Sequence, residues 1–258
     1  VEYKKFAIDL AKEAGQIIKS NFKIGMEKGW KGIDGPVTKT DKEVNSLVIE
    51  SVKKYFPDHN IRGEEESYYK KDSEYLWVCD PIDGTIPFSH GLPVFMFSLA
   101  LVKNGEAIVG VLYNPMQDNL FYAEKNKGAT LDGKTIQVSD RETLKDSAVD
   151  IESWATARYY MPNLEQNIYA KDALLVHFAC ITYPCALVAA GEFAGAIFTG
   201  YTEWDIAAIK VIVEEAGGKV TDLFGNEQRY DRDIKGAIIS NGKLHKELLG
   251  IVRRSIRD

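Results

Sequence analysis

Cysteine and histidine are scarce in this 258-residue chain, with three of the first and four of the second. Cys79, Cys180 and Cys185 cannot form an even disulfide framework, and they point to reduced thiols in a cytoplasmic protein. All three read as core residues rather than redox groups. No two histidines stand at HExxH spacing, which argues against a zinc hydrolase. No apolar run reaches the roughly 20 residues that a membrane helix needs, so no membrane association is expected. A basic surplus is also missing. The net charge of −6 leaves no footprint for nucleic acid. Repeats and low-complexity segments are absent too. What remains is an ordinary globular composition, 45% hydrophobic and 27% charged, enough for a sizeable core in one large domain or two closely packed ones.

Residues 2–22 carry Tyr3, Phe6, Leu10, Ala14, Ile17 and Ile18 at helical spacing, which predicts an amphipathic helix. Residues 24–36 hold Gly25, Gly29, Gly32 and Gly35 among lysines and read as a mobile loop. Thr40-Asp41-Lys42-Glu43 matches the S/T-x-x-E capping box. It predicts a second helix with Val44, Leu47, Val48, Val52 and Tyr55 on one face. Strands follow at about 75–79, 94–102, 107–113 and 119–123. Asn104-Gly105 is a hairpin signal between two of them. Beyond about residue 145 short strands alternate with helices near 166–170, 182–191, 205–216 and 243–254, and Gly217-Gly218 stops the third of these helices. The expected organisation is an antiparallel-rich part over 1–145 and an α/β part over 146–258.

One segment stands out. Trp77-Val78-Cys79 is a buried-strand pattern that ends in Asp80-Pro81-Ile82-Asp83-Gly84-Thr85. Two carboxylates three residues apart supply the anionic oxygens that Mg²⁺ and Mn²⁺ prefer. Pro81 keeps Asp80 out of a helix. Gly84 lets the backbone approach a ligand, and N–H groups at a helix start attract phosphate. By contrast, Gly128-Ala129-Thr130-Leu131-Asp132-Gly133-Lys134-Thr135 fits the P-loop expression only on paper. Asp132-Gly133 reads as a hairpin turn and the residues after it alternate like a strand, so no nucleotide site is expected there.

With Gly63-Glu64-Glu65 upstream and Trp204-Asp205-Ile206-Ala207-Ala208 downstream, DPIDGT resembles the inositol monophosphatase family, Mg²⁺-dependent phosphomonoesterases of the sugar-phosphatase superfamily. The resemblance runs from about Asp9 to about Ser240. It implies an α+β fold, a layered αβαβα sandwich with the active site between its two parts. It further implies that Glu64 and Asp80 bind a first Mg²⁺ (or Mn²⁺) with the Ile82 carbonyl. Asp80 would bridge to a second ion completed by Asp83 and Asp205. Thr85, paired with Asp41, would orient the attacking water, Gly84 and Thr85 would meet the phosphate, and Glu65 would hold a further ion through water. A homodimer is common in the family.

Three positions depart from the inositol-specific pattern. Phe198 stands where a hydroxyl-binding Glu is usual, seven residues before Asp205. Ala179-Cys180-Ile181-Thr182 replaces a Gly-Ser/Thr-Ala-Ala segment, and Ile86-Pro87 interrupts the usual DGTTNF run. No metal ligand is lost. The implied activity is hydrolysis of a small phosphate ester, inositol 1-phosphate by default. Histidinol phosphate, fructose 1,6-bisphosphate and a 3′-phosphoadenosine nucleotide are alternatives in the class. Phe198 predicts weak preference for inositol 1-phosphate, since an aromatic face suits a planar group. The rival from another class is a non-catalytic metal- or phosphate-binding protein on the same fold.

Overall fold

The computed structural model describes residues 2–31, 36–70 and 72–257. Its first elements are α1 (Tyr3–Asn21), a short ladder of β1 (Gly29–Trp30) with β2 (Pro36–Val37), α2 (Lys39–Tyr55), β3 (Asn60–Gly63) and β4 (Ser67–Tyr68). Then come β5 (Tyr75–Asp83), α3 (Thr85–Ser89), β6 (Met96–Lys103), β7 (Glu106–Asn114), β8 (Asn119–Glu124), β9 (Ala129–Leu131) and β10 (Lys134–Thr135). The rest holds β11 (Ala148–Glu152), α4 (Leu164–Tyr169), β12 (Leu174–Val176), α5 (Thr182–Ala189), β13 (Gly195–Phe198), α6 (Ala207–Glu215), β14 (Lys219–Thr221), β15 (Ala237–Ser240) and α7 (His245–Arg257).

Two sheets organise these elements. The larger has the order β10-β9-β8-β7-β6-β5-β3-β4 and is antiparallel except where β3 runs parallel to β5. The smaller has the order β12-β11-β13-β15-β14, with β11, β12 and β13 parallel and the other two neighbours antiparallel. Helices α1 and α2 cover one face of the larger sheet. Helices α5 and α6 lie between the sheets, and α4 and α7 close the far face of the smaller one. The layers therefore read αβαβα, an α+β sandwich. Its first core joins Phe6, Leu10, Ala14 and Ile18 of α1 to Trp77, Leu99 and Val111 of the sheet. Each large apolar side chain among them contributes about 1.5–3 kcal/mol when fully buried. Among the described residues no helix is long and apolar enough to cross a membrane.

Three local expectations need correction. The capping box lies two residues early. Thr38 is the N-cap of α2, accepting the Thr40 N–H at 3.2 Å, while Asp41 returns its carboxylate to the Thr38 N–H at 2.8 Å. Tyr55 ends that helix 46% exposed, away from the buried stripe of Val44, Val48 and Val52. Within the expected loop 24–36, Gly29–Trp30 pairs with Pro36–Val37; Gly32 and Gly35 lie outside the described residues. The false P-loop is the β9–β10 hairpin, its turn made by Asp132 and Gly133.

Candidate active site

The carboxylates of the central motif sit on a strand, not after one. β5 runs through Asp83, and its pairing with β6 slips from Asp80↔Ser98 to Asp83↔Met96, three steps against two. That extra residue is a β-bulge, where a proline is tolerated and side chains are re-aimed. It turns the Ile82 side chain into the core while the Ile82 N–H donates to Asp80 Oδ1 at 2.9 Å. Gly84 then takes φ = 91° and opens the five-residue α3. A Cβ there would come within 2.8 Å of the Val94 carbonyl oxygen and 2.9 Å of Cys180 Cβ, so only glycine fits.

Thr85 is the first residue of α3, and its hydroxyl lies 3.3 Å from Asp41 Oδ1 and 3.1 Å from the Ile82 carbonyl oxygen. Asp41 thus serves two ends at once, with Oδ2 capping α2 and Oδ1 facing Thr85. Plain capping does not account for its second contact. Gly63 brings Glu64 to the same place at the end of β3. Any Cβ on Gly63 would strike Asn45 Oδ1 at 2.2 Å and the Glu66 carbonyl at 2.6 Å.

The second sheet's side supplies the rest. Asp205 precedes α6 without capping it, and accepts a hydrogen bond from the Thr202 hydroxyl. Asp83 Oδ2 accepts the Thr182 N–H at 2.6 Å, the Thr182 hydroxyl, and the Cys180 thiol at 3.2 Å. The altered segment Ala179–Thr182 is therefore the cradle of a motif carboxylate, and Cys180 is a buried member of it rather than distant core. Ala179 keeps a left-handed φ of 53°, the conformation a glycine would take freely. An ion pair of the half-buried Arg62 with the buried Glu203 ties the residue two before Glu64 to the residue two before Asp205.

Two carboxylate groups result. Asp80, Asp83 and Asp205 offer oxygens within 4.8 Å of one another, and so do Asp41, Glu64 and Glu65. Burial pushes Asp80 well above the usual carboxylate range, with Glu64, Asp83 and Asp205 adding to it. Burial and then Asp83 do the same to Asp205. Burial also raises Asp83, against the hydrogen bonds from Thr182. Glu64 is pushed up to about 7 by burial, opposed by Lys31 and reinforced by Glu65. Lys31 lies 3.0 Å from Glu64 Oε1 and also contacts Glu65. Burial disfavours its charge, yet Glu64 and Glu65 hold it above the ordinary lysine value. An ammonium standing among crowded carboxylates is what a cation site shows when a lysine fills part of its role. The donor set, all oxygen and mutually repelling, fits hard divalent cations.

A cavity of about 280 Å³ opens beside this centre, with Lys31, Glu64, Asp83 and Asp205 on one side. Glu152, Trp154, Ile181, Phe198, Tyr201 and Trp204 form much of the rest. Phe198 is only 2% exposed, packed on Gly200 and 6.3 Å from the Trp154 ring, and Arg158 stacks on Tyr201 at 3.9 Å. The wall is not purely aromatic, because Glu152 is on it. Burial and then Asp83 push the Glu152 carboxyl up to about 8. Sequence reasoning missed Glu152, Lys31, Thr182 and Thr202. None of the four stands in a local pattern that marks it, since the strand that Glu152 closes already carries Asp150.

Crowded carboxylates between two sheets, beside a cavity, form a site whose all-oxygen donors suit divalent cations. The chain belongs to the inositol monophosphatase family, whose model matches residues 1–257. It is 33% identical to a Thermotoga maritima protein named fructose-1,6-bisphosphatase/inositol-1-monophosphatase, over 98% of this chain and 96% of that one. It is 32% identical to inositol monophosphatase 2 of Solanum lycopersicum, over 98% and 99%. The solved structure of a Thermotoga maritima IMPase superposes with a TM-score of 0.89 at 32% identity, covering 100% of this chain and 99% of that one.

Proposed function

We propose that this chain is a Mg²⁺-dependent phosphomonoesterase, also served by Mn²⁺, that hydrolyses a small polyol phosphate with inositol 1-phosphate as the default substrate. The observation that carries the proposal is the triad of the buried Asp80 and Asp83 with the half-buried Asp205, within 4.8 Å and uncompensated by any cation among the described residues. Such a cluster is costly unless it holds cations. Glu64, Asp80 and the Ile82 carbonyl would hold the first ion. Asp80 would bridge to a second held with Asp83 and Asp205, and Glu65 is placed for an outer one. Bound Mg²⁺ supplies an acidified water and neutralises charge on the phosphoryl oxygens.

The chain's own groups do the positioning. Thr85 donates a hydrogen bond to Asp41, which leaves Oγ1 lone pairs free to accept a hydrogen bond from the attacking water; as that water's proton moves to Oγ1, the Thr85 hydroxyl proton would pass to the Asp41 carboxylate. The first N–H groups of α3, at Gly84 and Thr85, receive phosphoryl oxygens. Thr182 and Thr202 fix the Asp83 and Asp205 carboxylates so that neither swings away. Phe198, Trp154 and Tyr201 exclude water from the leaving-group side. The names of the relatives support polyol phosphates as the substrate class.

A panel assay tests the reading. Inositol 1-phosphate, fructose 1,6-bisphosphate, histidinol phosphate, an adenosine 3′,5′-bisphosphate and p-nitrophenyl phosphate are compared with and without Mg²⁺ after exhaustive dialysis against EDTA. Release of phosphate only with Mg²⁺ or Mn²⁺ is expected. Full activity in EDTA, or no hydrolysis of any ester with metal, sinks it; the latter with intact metal binding would favour the non-catalytic rival.

A further inference from the structure

Position 198 has lost its carboxylate, but the cavity has not. β11 and β13 run parallel, and their register places Glu152 directly beside Phe198. Side chains at matched positions of neighbouring strands share one face of a sheet. Both residues line the cavity next to Asp83 and Asp205. Among the described residues no Lys, Arg or His pairs with Glu152, and its acidic neighbours Asp150 and Asp83 repel its charge. The Cys180 backbone N–H is the support that Glu152 has from the protein. A carboxyl group offers about four lone-pair sites, so most of its accepting capacity is left for a ligand.

We propose that Glu152 is the specificity-determining residue of this site, accepting hydrogen bonds from the hydroxyls of a polyol phosphate one strand away from the position where Phe198 stands. The proposal rests on the functional reading above for the identity of the ester. Phe198 and Trp154 cover the C–H face of the polyol beside those hydroxyls. A neutral hydroxyl is favoured over a ligand ammonium on electrostatic grounds. Lys31 lines the same cavity, and the cations demanded by Asp80, Asp83 and Asp205 would repel a second positive group there. Glu152 therefore restores the polyol preference that Phe198 alone would remove.

The test has two readouts. The first is the ratio of kcat/KM for inositol 1-phosphate to that for p-nitrophenyl phosphate, an ester without aliphatic hydroxyls. With Mg²⁺ bound beside Asp83, which favours the ionised carboxylate, Glu152→Ala should lower this ratio about ten- to a hundred-fold, the value of one or two hydrogen bonds to a charged group. The isosteric Glu152→Gln should fall between, and it serves if the alanine variant folds poorly. A ratio within about twofold of wild type for both variants overturns the proposal. So does a loss for 2-aminoethyl phosphate that exceeds the loss for inositol 1-phosphate, which would assign Glu152 to an ammonium.

The second readout is calorimetric binding of inositol 1-phosphate with Ca²⁺ in place of Mg²⁺, which needs no turnover. If the wild type hydrolyses no ester, the functional reading fails while this measurement still decides the present one. A tenfold or greater weakening in Glu152→Ala supports it, and equal affinities, or no binding by the wild type, overturn it.

Discussion

The bulged strand that carries Asp80 and Asp83 and the cavity wall that carries Glu152, Phe198 and Tyr201 are built in opposite ways. The first is local. Nine consecutive residues from Tyr75 to Asp83 form one strand, and a bulge with a proline sets the spacing of two carboxylates and a carbonyl, with Thr182 and Cys180 only steadying Asp83 from afar. The second is collective. Glu152 and Phe198 lie on neighbouring parallel strands with α4, β12 and α5 between them in sequence, and Tyr201, Thr202 and Trp204 come from the loop that leads to α6. Metal chemistry tolerates little displacement of its ligands, so it is suited to a short rigid segment. Ligand selection needs only a face of the right polarity, which any pair of strand ends can supply.

That contrast makes graded predictions. Asp80→Asn strikes the local centre and should have the largest effect. It removes the oxygen charge proposed to bridge two ions, so Mg²⁺-dependent turnover should fall about a thousandfold or more. A variant with near wild-type turnover and Mg²⁺ midpoint would end the bridging assignment. Thr85→Ala should lower kcat about a hundredfold while the Mg²⁺ midpoint stays put, if its hydroxyl serves the water and not the ion as proposed. A shift in midpoint that matches the loss in kcat would move Thr85 into the metal shell instead.

Thr182→Ala attacks the centre from the collective side. Asp83 would lose a hydroxyl donor but keep the backbone one, so the Mg²⁺ requirement should rise about tenfold with kcat largely recovered at saturating metal. No change in midpoint would make the cradle irrelevant to the ion.

The same distinction explains what could be read from the chain alone. DPIDGT, GEE and WDxAA were legible because each packs its chemistry into a few adjacent residues. Hairpins at Asn104-Gly105 and Asp132-Gly133 were legible for the same reason, as both turns use residues suited to positive φ. The layered fold followed from the family resemblance. The capping box was misread by two residues because Thr38 and Thr40 are equally good caps on paper, and the tertiary contact of Asp41 with Thr85 favours the earlier start. Lys31, Thr182 and Glu152 were illegible. A lysine in a glycine-rich stretch, a threonine at a helix start and a glutamate at a strand end have no local pattern that reveals which distant carboxylate or strand they meet.

Protonation gives a smaller effect. Without metal, Glu64 sits at about 7 against its ordinary 4.5. Between those values the folded chain binds more protons than the unfolded one, so stability from this group falls as pH rises through the window. Metal demands the deprotonated form, so stabilisation by Mg²⁺ should grow over the same window. The rise in Tm on adding Mg²⁺ should be larger near pH 8 than near about pH 5. An equal rise at both would detach the ion from Glu64.

The smallest expected effect is at Ala179, whose left-handed φ costs about 1 kcal/mol that glycine does not incur. Ala179→Gly should raise Tm by about 1–3 °C, allowing for the extra chain entropy of glycine. A lower Tm would mean that the alanine methyl packs better than its backbone strain costs.

Where the ions sit is the most direct question. A crystal grown with Mn²⁺ and measured for anomalous scattering would place them without reference to activity. The account predicts two peaks, each about 2.2 Å from an Asp80 oxygen, one also beside Glu64 and the Ile82 carbonyl and the other beside Asp83 and Asp205. No peak at the triad, or peaks that leave Asp80 without an ion, would contradict it.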